Sequence, residues 1–336
     1  MTSGLADRRR ARSLTLFLIA GALAVTAVVT LAIESRSLSP SGGASGPVVP
    51  NLEETIGGAQ RIIVTSAEAT YRIERTQQGW AMRDRDDYPV LSGRLAQLTE
   101  GLENLRFQRR MTNDASKHER LGVTDPREGG RGILVQVEDG RGALLVNLIL
   151  GVETSGTYVR RPDEAQTWAV QGELPPLRDV AAWMDLQPLS IPADRLARVE
   201  IMAAEGRAYI LARESAEQPW RIVAPALASL AQSTVTATAE RLTQLAPVDV
   251  RTAPAIQGAP RARVRATTFD AVTIDAELIP SDNRLWVKLV ARAAAPEQEP
   301  AALEINNRSA AWAYALSEIE AEALAPPLSR LIPGAE

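Results

Sequence analysis

Four residues recur in this chain at one constant offset. Trp80, Glu100, Leu102 and Leu105 return 140 positions later as Trp220, Glu240, Leu242 and Leu245. The patterns around them repeat too, which predicts two similar units in tandem rather than a long repeat array. The first unit opens with Arg61–Thr65, Tyr71–Arg75 and Trp80–Arg83, the second with Arg198–Met202, Ala208–Ala212 and Trp220–Val223. These short runs are rich in β-branched and aromatic residues and are broken by turn formers such as Gly79, so they read as three strands. A helix is expected next. Leu91, Leu95, Leu98, Leu102 and Leu105 are spaced by four and three, which places them on one helical stripe. Val235, Leu242 and Leu245 continue that stripe in the second unit.

The later halves correspond as well. Ile133–Val137 and Ala143–Leu150 flank Asp139-Gly140 as a hairpin, and Val264–Thr268 with Ala271–Ile279 is the counterpart. Tyr158–Arg160 and Trp168–Val170 then match Trp286–Leu289 and Trp312–Tyr314. Each unit is expected to close on a helix, Pro176–Leu186 in the first and Glu318–Leu331 in the second, the latter interrupted at Pro326 and Pro327. The order is three strands, helix, four strands, helix. Locally paired strands with few helices indicate α+β units on mainly antiparallel sheet, spanning 60–190 and 196–333.

Ahead of these units lies a different kind of segment. Leu14–Ile33 is 20 residues without a charge, with only Thr15, Thr26 and Thr30 polar. At ~1.5 Å per residue it spans ~30 Å, the hydrocarbon thickness of a bilayer. The run exceeds the usual h-region of a cleaved signal peptide and no Ala-x-Ala site follows, so a retained signal-anchor is expected. Arg8, Arg9, Arg10 and Arg12 precede it, whereas Glu34 and Arg36 follow nearly balanced. That asymmetry keeps residues 1–13 in the cytoplasm and the bulk of the chain in the periplasm, on the far side of the inner membrane. Residues 34–59 are expected to form a flexible linker, because 38–51 are rich in Ser, Gly and Pro.

Composition removes much chemistry. Cysteine is absent and His118 is the only histidine, which excludes thiolate and multi-histidine metal sites within one chain. A net charge of −4 argues against nucleic acid as a partner. His118 lies in Ser116–Gly122, a short helix closed by Gly122, where it needs no catalytic role. Asp84–Asp87 alternates with Arg83 and Arg85 and reads as a self-neutralised, solvated loop without calcium-loop spacing. Glu128–Gly132 lacks the phosphate-loop pattern and reads as a turn. Trp80, Trp168, Trp220 and Trp312 recur in register and are expected to pack the sheets. Arg109-Arg110 and the alternating Arg261, Arg263 and Arg265 read as solvated faces, with anionic headgroups or an acidic partner as the sharper alternative. No catalytic, cofactor-binding or metal-binding residue is assigned.

The whole arrangement resembles bacterial membrane-anchored proteins that carry domain of unknown function 4340. The residues behind this are the anchor, Ile62–Val64, Trp80 and Tyr88-Pro89 before the Leu-striped helix. To these are added Leu121-Gly-Val-Thr-Asp-Pro126, Leu150-Gly151 and Gly156–Arg160 before Trp168. The resemblance covers residues 60–190 well, and the second half is a weaker echo. The resemblance brings no established enzymatic activity with it. It implies companionship with ABC-type export systems similar to gliding-motility permease and auxiliary-protein pairs. The leading expectation is therefore a non-catalytic, single-pass periplasmic accessory or binding protein with a membrane-protein partner. The alternatives are an envelope hydrolase using paired carboxylates, which needs only two acidic residues at suitable separation, and a structural spacer.

Overall fold

Alternating apolar and polar residues build two sheets. Ala262–Thr268 shows the pattern plainly: Ala262, Val264, Ala266 and Thr268 are buried, while Arg263 and Arg265 face solvent. The computed structural model describes residues 46–153, 156–225 and 231–331. The first sheet holds β1 (Ala59–Thr65), β2 (Thr70–Thr76), β3 (Gly79–Met82), β4 (Tyr88–Pro89), β5 (Arg106–Arg110), β6 (Ile133–Asp139), β7 (Leu144–Glu153), β8 (Gly156–Arg160) and β9 (Trp168–Gln171). Their order is β4-β3-β2-β1-β6-β7-β8-β9-β5. The second sheet holds β10 (Leu196–Met202), β11 (Tyr209–Ala212), β12 (Arg221–Ala224), β13 (Asp249–Thr252), β14 (Ala262–Thr268), β15 (Val272–Ser281), β16 (Arg284–Ala293) and β17 (Trp312–Leu316). Its order is β12-β11-β10-β14-β15-β16-β17-β13. Apart from β4 the two orders are the same, and the named strands pair antiparallel throughout. Helices on two mainly antiparallel sheets make the fold α+β.

A helix crosses each sheet. Ser92–Glu103 runs from the β4 edge to the β5 edge, with Leu98 and Leu102 fully buried and Leu105, just past its C-terminus, buried with them. Burying each such leucine contributes ~1.5–3 kcal/mol. In the second unit Gln232–Glu240 and a 3-10 turn at Arg241–Gln244 bury Val235, Leu242 and Leu245. Trp220 reaches that element directly, its indole Nε1 donating to Glu240 Oε1 at 3.3 Å. Two of the residues that recur at the 140 offset thus touch. The inner faces of both sheets contribute to one continuous apolar core.

Several expectations are corrected. Pro176–Leu186 is not a helix; only Ala181–Trp183 forms a 3-10 turn. Pro175 and Pro176 open the segment. Leu177, Trp183, Met184, Leu186 and Leu189 then anchor it in the core as an extended strap. Trp183 O accepts from Leu91 N–H at 2.9 Å. Five strands, not four, follow the crossing helix, because β5 and β13 were hidden; Arg-Phe-Gln-Arg-Arg and Asp-Val-Arg-Thr carry little apolar alternation. Residues 46–59 do not behave as linker. Val48 and Leu52 are buried, and Val48 N–H donates to Leu105 O. Glu318–Leu324 and Leu328–Leu331 are separate helices with the expected break between them. Glu299–Ser309 is an additional helix, packed on β16, with no counterpart in the first unit.

Among the described residues no helix is long and apolar enough to cross a membrane. Leu14–Ile33, the expected anchor, lies outside the described residues.

Candidate functional site

The acidic loop expected to be solvated is instead the clasp between the units. Asp86 and Asp87 both adopt left-handed backbone (φ 54° and 63°), a conformation that Asp tolerates better than most residues. The turn presents Arg85 and Asp86 to β13, the edge strand of the second sheet. Arg85 pairs with Asp249, which also receives Arg284 Nη1 at 2.7 Å. The Asp86 carboxylate accepts from Thr252 N–H at 2.8 Å and from its hydroxyl at 3.1 Å, and faces Arg251 at 3.5 Å. Partial burial alone would raise the Asp86 carboxyl, but these donors and the Arg251 charge outweigh it, so its pKa lies below the ordinary aspartate value. One carboxylate thus satisfies a backbone donor on an otherwise open sheet edge.

Beside the clasp a cleft of 560 Å³ opens between the units. Its floor comes from both. Tyr88 meets Trp312 edge-on, with ring centroids 4.7 Å apart, and lies 6.4 Å from Tyr314. Burial, partly offset by the Tyr314 hydroxyl, pushes the Tyr88 phenol above its usual value, so it remains a donor, here to Asp185 O. Pro89, Val90 and Leu91 of the first unit and Ile305 of the second add apolar wall. The rim is charged and spans the junction: Arg308 pairs with Asp185 at 3.3 Å and donates to Gln187 O. Arg195 pairs with Asp270 at 2.5 Å. An apolar floor with a few fixed polar groups, at a boundary between units, is the usual build of a binding site. Asp185 and Glu304 both line it, but Asp185 is neutralised by Arg308.

The other residues singled out in the sequence lie elsewhere and hold structure. His118 is buried between two 3-10 turns, its Nε2 2.8 Å from Ala165 O, and Gly122 closes the second turn at φ 62°. The Leu121–Pro126 segment lies over the outer face of the first sheet. Val123 packs there with Leu134, Ile149 and Tyr158, and buried Arg160 donates to Val123 O at 2.7 Å. Gly151 lets the chains approach: a Cβ there would stand 2.1 Å from Leu121 O. Glu128–Gly132 is a tight turn, with Gly132 N–H donating to Thr124 O. Arg263 and Arg265 pair with Glu277 and Asp275 on an exposed face. Among the described residues no three His, Asp or Glu side chains gather as a metal site would require. Of the expected features, Tyr88-Pro89, Leu91 and Trp312 reach the cleft. Arg308 and Ile305 belong to the helix that the sequence reading missed; its Glu299, Pro300 and amphipathic Ala302/Ile305 spacing were the available signal.

No curated protein and no solved structure matches the chain. A family model does match, over residues 80–262, more than half of the sequence. The match begins at Trp80, runs through the junction between the units and ends at the start of β14, so the family pattern treats parts of both sheets as one domain. The chain belongs to the family defined by a domain of unknown function, DUF4340.

Proposed function

We propose that this protein is a non-catalytic, single-pass accessory subunit of an ABC-type transport system, held in the inner membrane by Leu14–Ile33. On this reading the two sheets arose by tandem duplication and stand on the periplasmic side. The cleft between them receives a segment of a membrane-protein partner. The observation that carries the reading is the cleft: both units build it, and the Arg308–Asp185 pair joins its rim across the junction. Asp185, so neutralised, favours recognition over proton transfer, which needs a carboxyl free to exchange its proton. The clasp supports the same view, because it fixes the spacing of the two walls. The uncharged run after four arginines supplies the membrane attachment.

The test is a photo-crosslinking residue at Asn307, on the cleft rim, in cells that express the chain. A crosslink to a permease or auxiliary subunit is expected, and it should vanish when Trp312 is replaced by Ala. Protease added to spheroplasts should digest the double unit. Absence of any membrane-protein crosslink from the cleft, or protection of the units until lysis, overturns the proposal.

A further inference from the structure

The first sheet ends in an unusual strand. In β5, Arg106, Gln108, Arg109 and Arg110 are exposed. Phe107 alone turns inward, onto Trp168, with ring centroids 4.9 Å apart. Arg106 donates to the Glu103 carbonyl and Arg110 to the Gln166 side-chain oxygen. The neighbouring ion pairs are made by other cations, Lys117 with Asp114 and Arg161 with Glu164. Among the described residues the three β5 arginines are left without an ion pair.

The free edge of β5 is where the N-terminal chain meets the fold. Phe107 N–H donates to Gly46 O and Val48 N–H to Leu105 O, both at 2.9 Å, and Pro47 bridges Arg106 in antiparallel sense. That sense fixes a direction. Residues after Val48 pass toward Glu103. Gly46, the first described residue, stands opposite Phe107, with Gln108, Arg109 and Arg110 next along the strand. Gly46 is 13 residues from Ile33, the last residue of the uncharged run. Thirteen residues reach at most ~45 Å along any path. If the run is the anchor, the arginine edge is confined near the lipid surface, and confinement raises the effective concentration for a weak contact.

We infer that the β5 edge, through Arg106, Arg109 and Arg110, rests on anionic phospholipid headgroups of the membrane that holds the anchor. This rests on the anchor reading above. Each basic residue near such a surface strengthens contact by roughly five-fold, so three contribute on the order of a hundred-fold. The attraction survives at low salt and collapses at 1 M, where the screening length falls to ~3 Å. The contact orients the double unit by its β5 edge.

The experiment uses the full chain in nanodiscs of phosphatidylcholine, with or without phosphatidylglycerol, carrying a headgroup nitroxide quencher. The natural sequence lacks cysteine, so Gln108→Cys provides a single fluorophore site on the strip. Quenching is expected to be stronger in the phosphatidylglycerol discs at low salt. It should be lost in 1 M salt and in the Arg106→Gln/Arg109→Gln/Arg110→Gln chain, and kept when the same three become Lys. Equal quenching in both lipids, or quenching indifferent to salt and to charge removal, overturns the inference and leaves the anchor intact. A chain that does not enter the discs overturns the anchor and this inference together.

Discussion

Replacing Asp249 by Asn is expected to destabilise the protein by about 2–3 kcal/mol, through loss of the junction between its units. Asp249 is the shared acceptor for two guanidinium groups, Arg85 from the first unit and Arg284 from its own. Its side chain is 11 % exposed and that of Arg85 23 %, whereas Arg284 is 52 % exposed. A shielded charge-assisted hydrogen bond contributes ~1.5–3 kcal/mol, and an exposed pair ~0–1 kcal/mol. The Arg85 contact therefore carries most of the loss, and it leaves a half-shielded guanidinium facing a neutral amide. In a chain of this size the loss lowers Tm by about 5 °C. A double-mutant cycle with Arg85→Gln should return a coupling of ~1.5 kcal/mol. Asp275 is the internal comparison: it also takes two arginines, Arg265 and Arg292, but they are 55 % and 63 % exposed on an open face. Asp275→Asn should cost under ~1 kcal/mol. Equal losses at the two positions in urea unfolding would refute the claim that the acidic turn clasps the units.

Gly151→Ala should cost ~2–3 kcal/mol in chemical unfolding, because the new methyl meets the Leu121 carbonyl, a backbone atom that cannot swing aside. Leu102→Ala, in the fully buried helix stripe, should cost ~2–5 kcal/mol by the same measurement. Acidification should unfold the junction. The Asp86 carboxyl is held below its ordinary value, so its stabilising effect is complete above the unfolded value near ~3.9 and is lost as pH falls through the lower folded value. An Asp86→Asn chain, less stable at neutral pH, should accordingly lose less Tm between pH 6 and pH 2.5 than its parent; parallel curves would refute that assignment.

Much of the sheet architecture was legible because its residues obey a strict period. The strand run at Val264–Thr268 alternates, Leu95, Leu98 and Leu102 follow the helical stripe while Leu91 and Leu105 fall just outside the helix, and Asp139-Gly140 marks its own hairpin. What escaped lacks a period. Arg106–Arg110 is an edge strand whose outward residues are charged, so nothing in its composition separates it from a loop. Pro176–Leu186 has the apolar content of a helix, yet its side chains enter the core from an extended backbone. The cleft was invisible for a different reason. Tyr88, Asp185, Arg308 and Trp312 are scattered over more than 220 residues, and only the tertiary juxtaposition of the units joins them. The acidic turn misled only in part: Arg83 does pair with Asp87 inside it, as the local alternation suggests, whereas Asp86 finds Thr252 and Arg85 finds Asp249 across the junction.

The Glu299–Ser309 helix breaks the likeness of the two sheets. It enters between β16 and β17, where the first unit passes from β8 to β9 through a short connection, and it brings Ile305 and Arg308 to one side of the junction alone. A pseudo-symmetric scaffold would by itself present matching surfaces and admit a visitor in either of two orientations. With this lopsided wall the molecule is polar in the geometric sense: the two sheets offer unlike surfaces to the cleft, which has a front and a back.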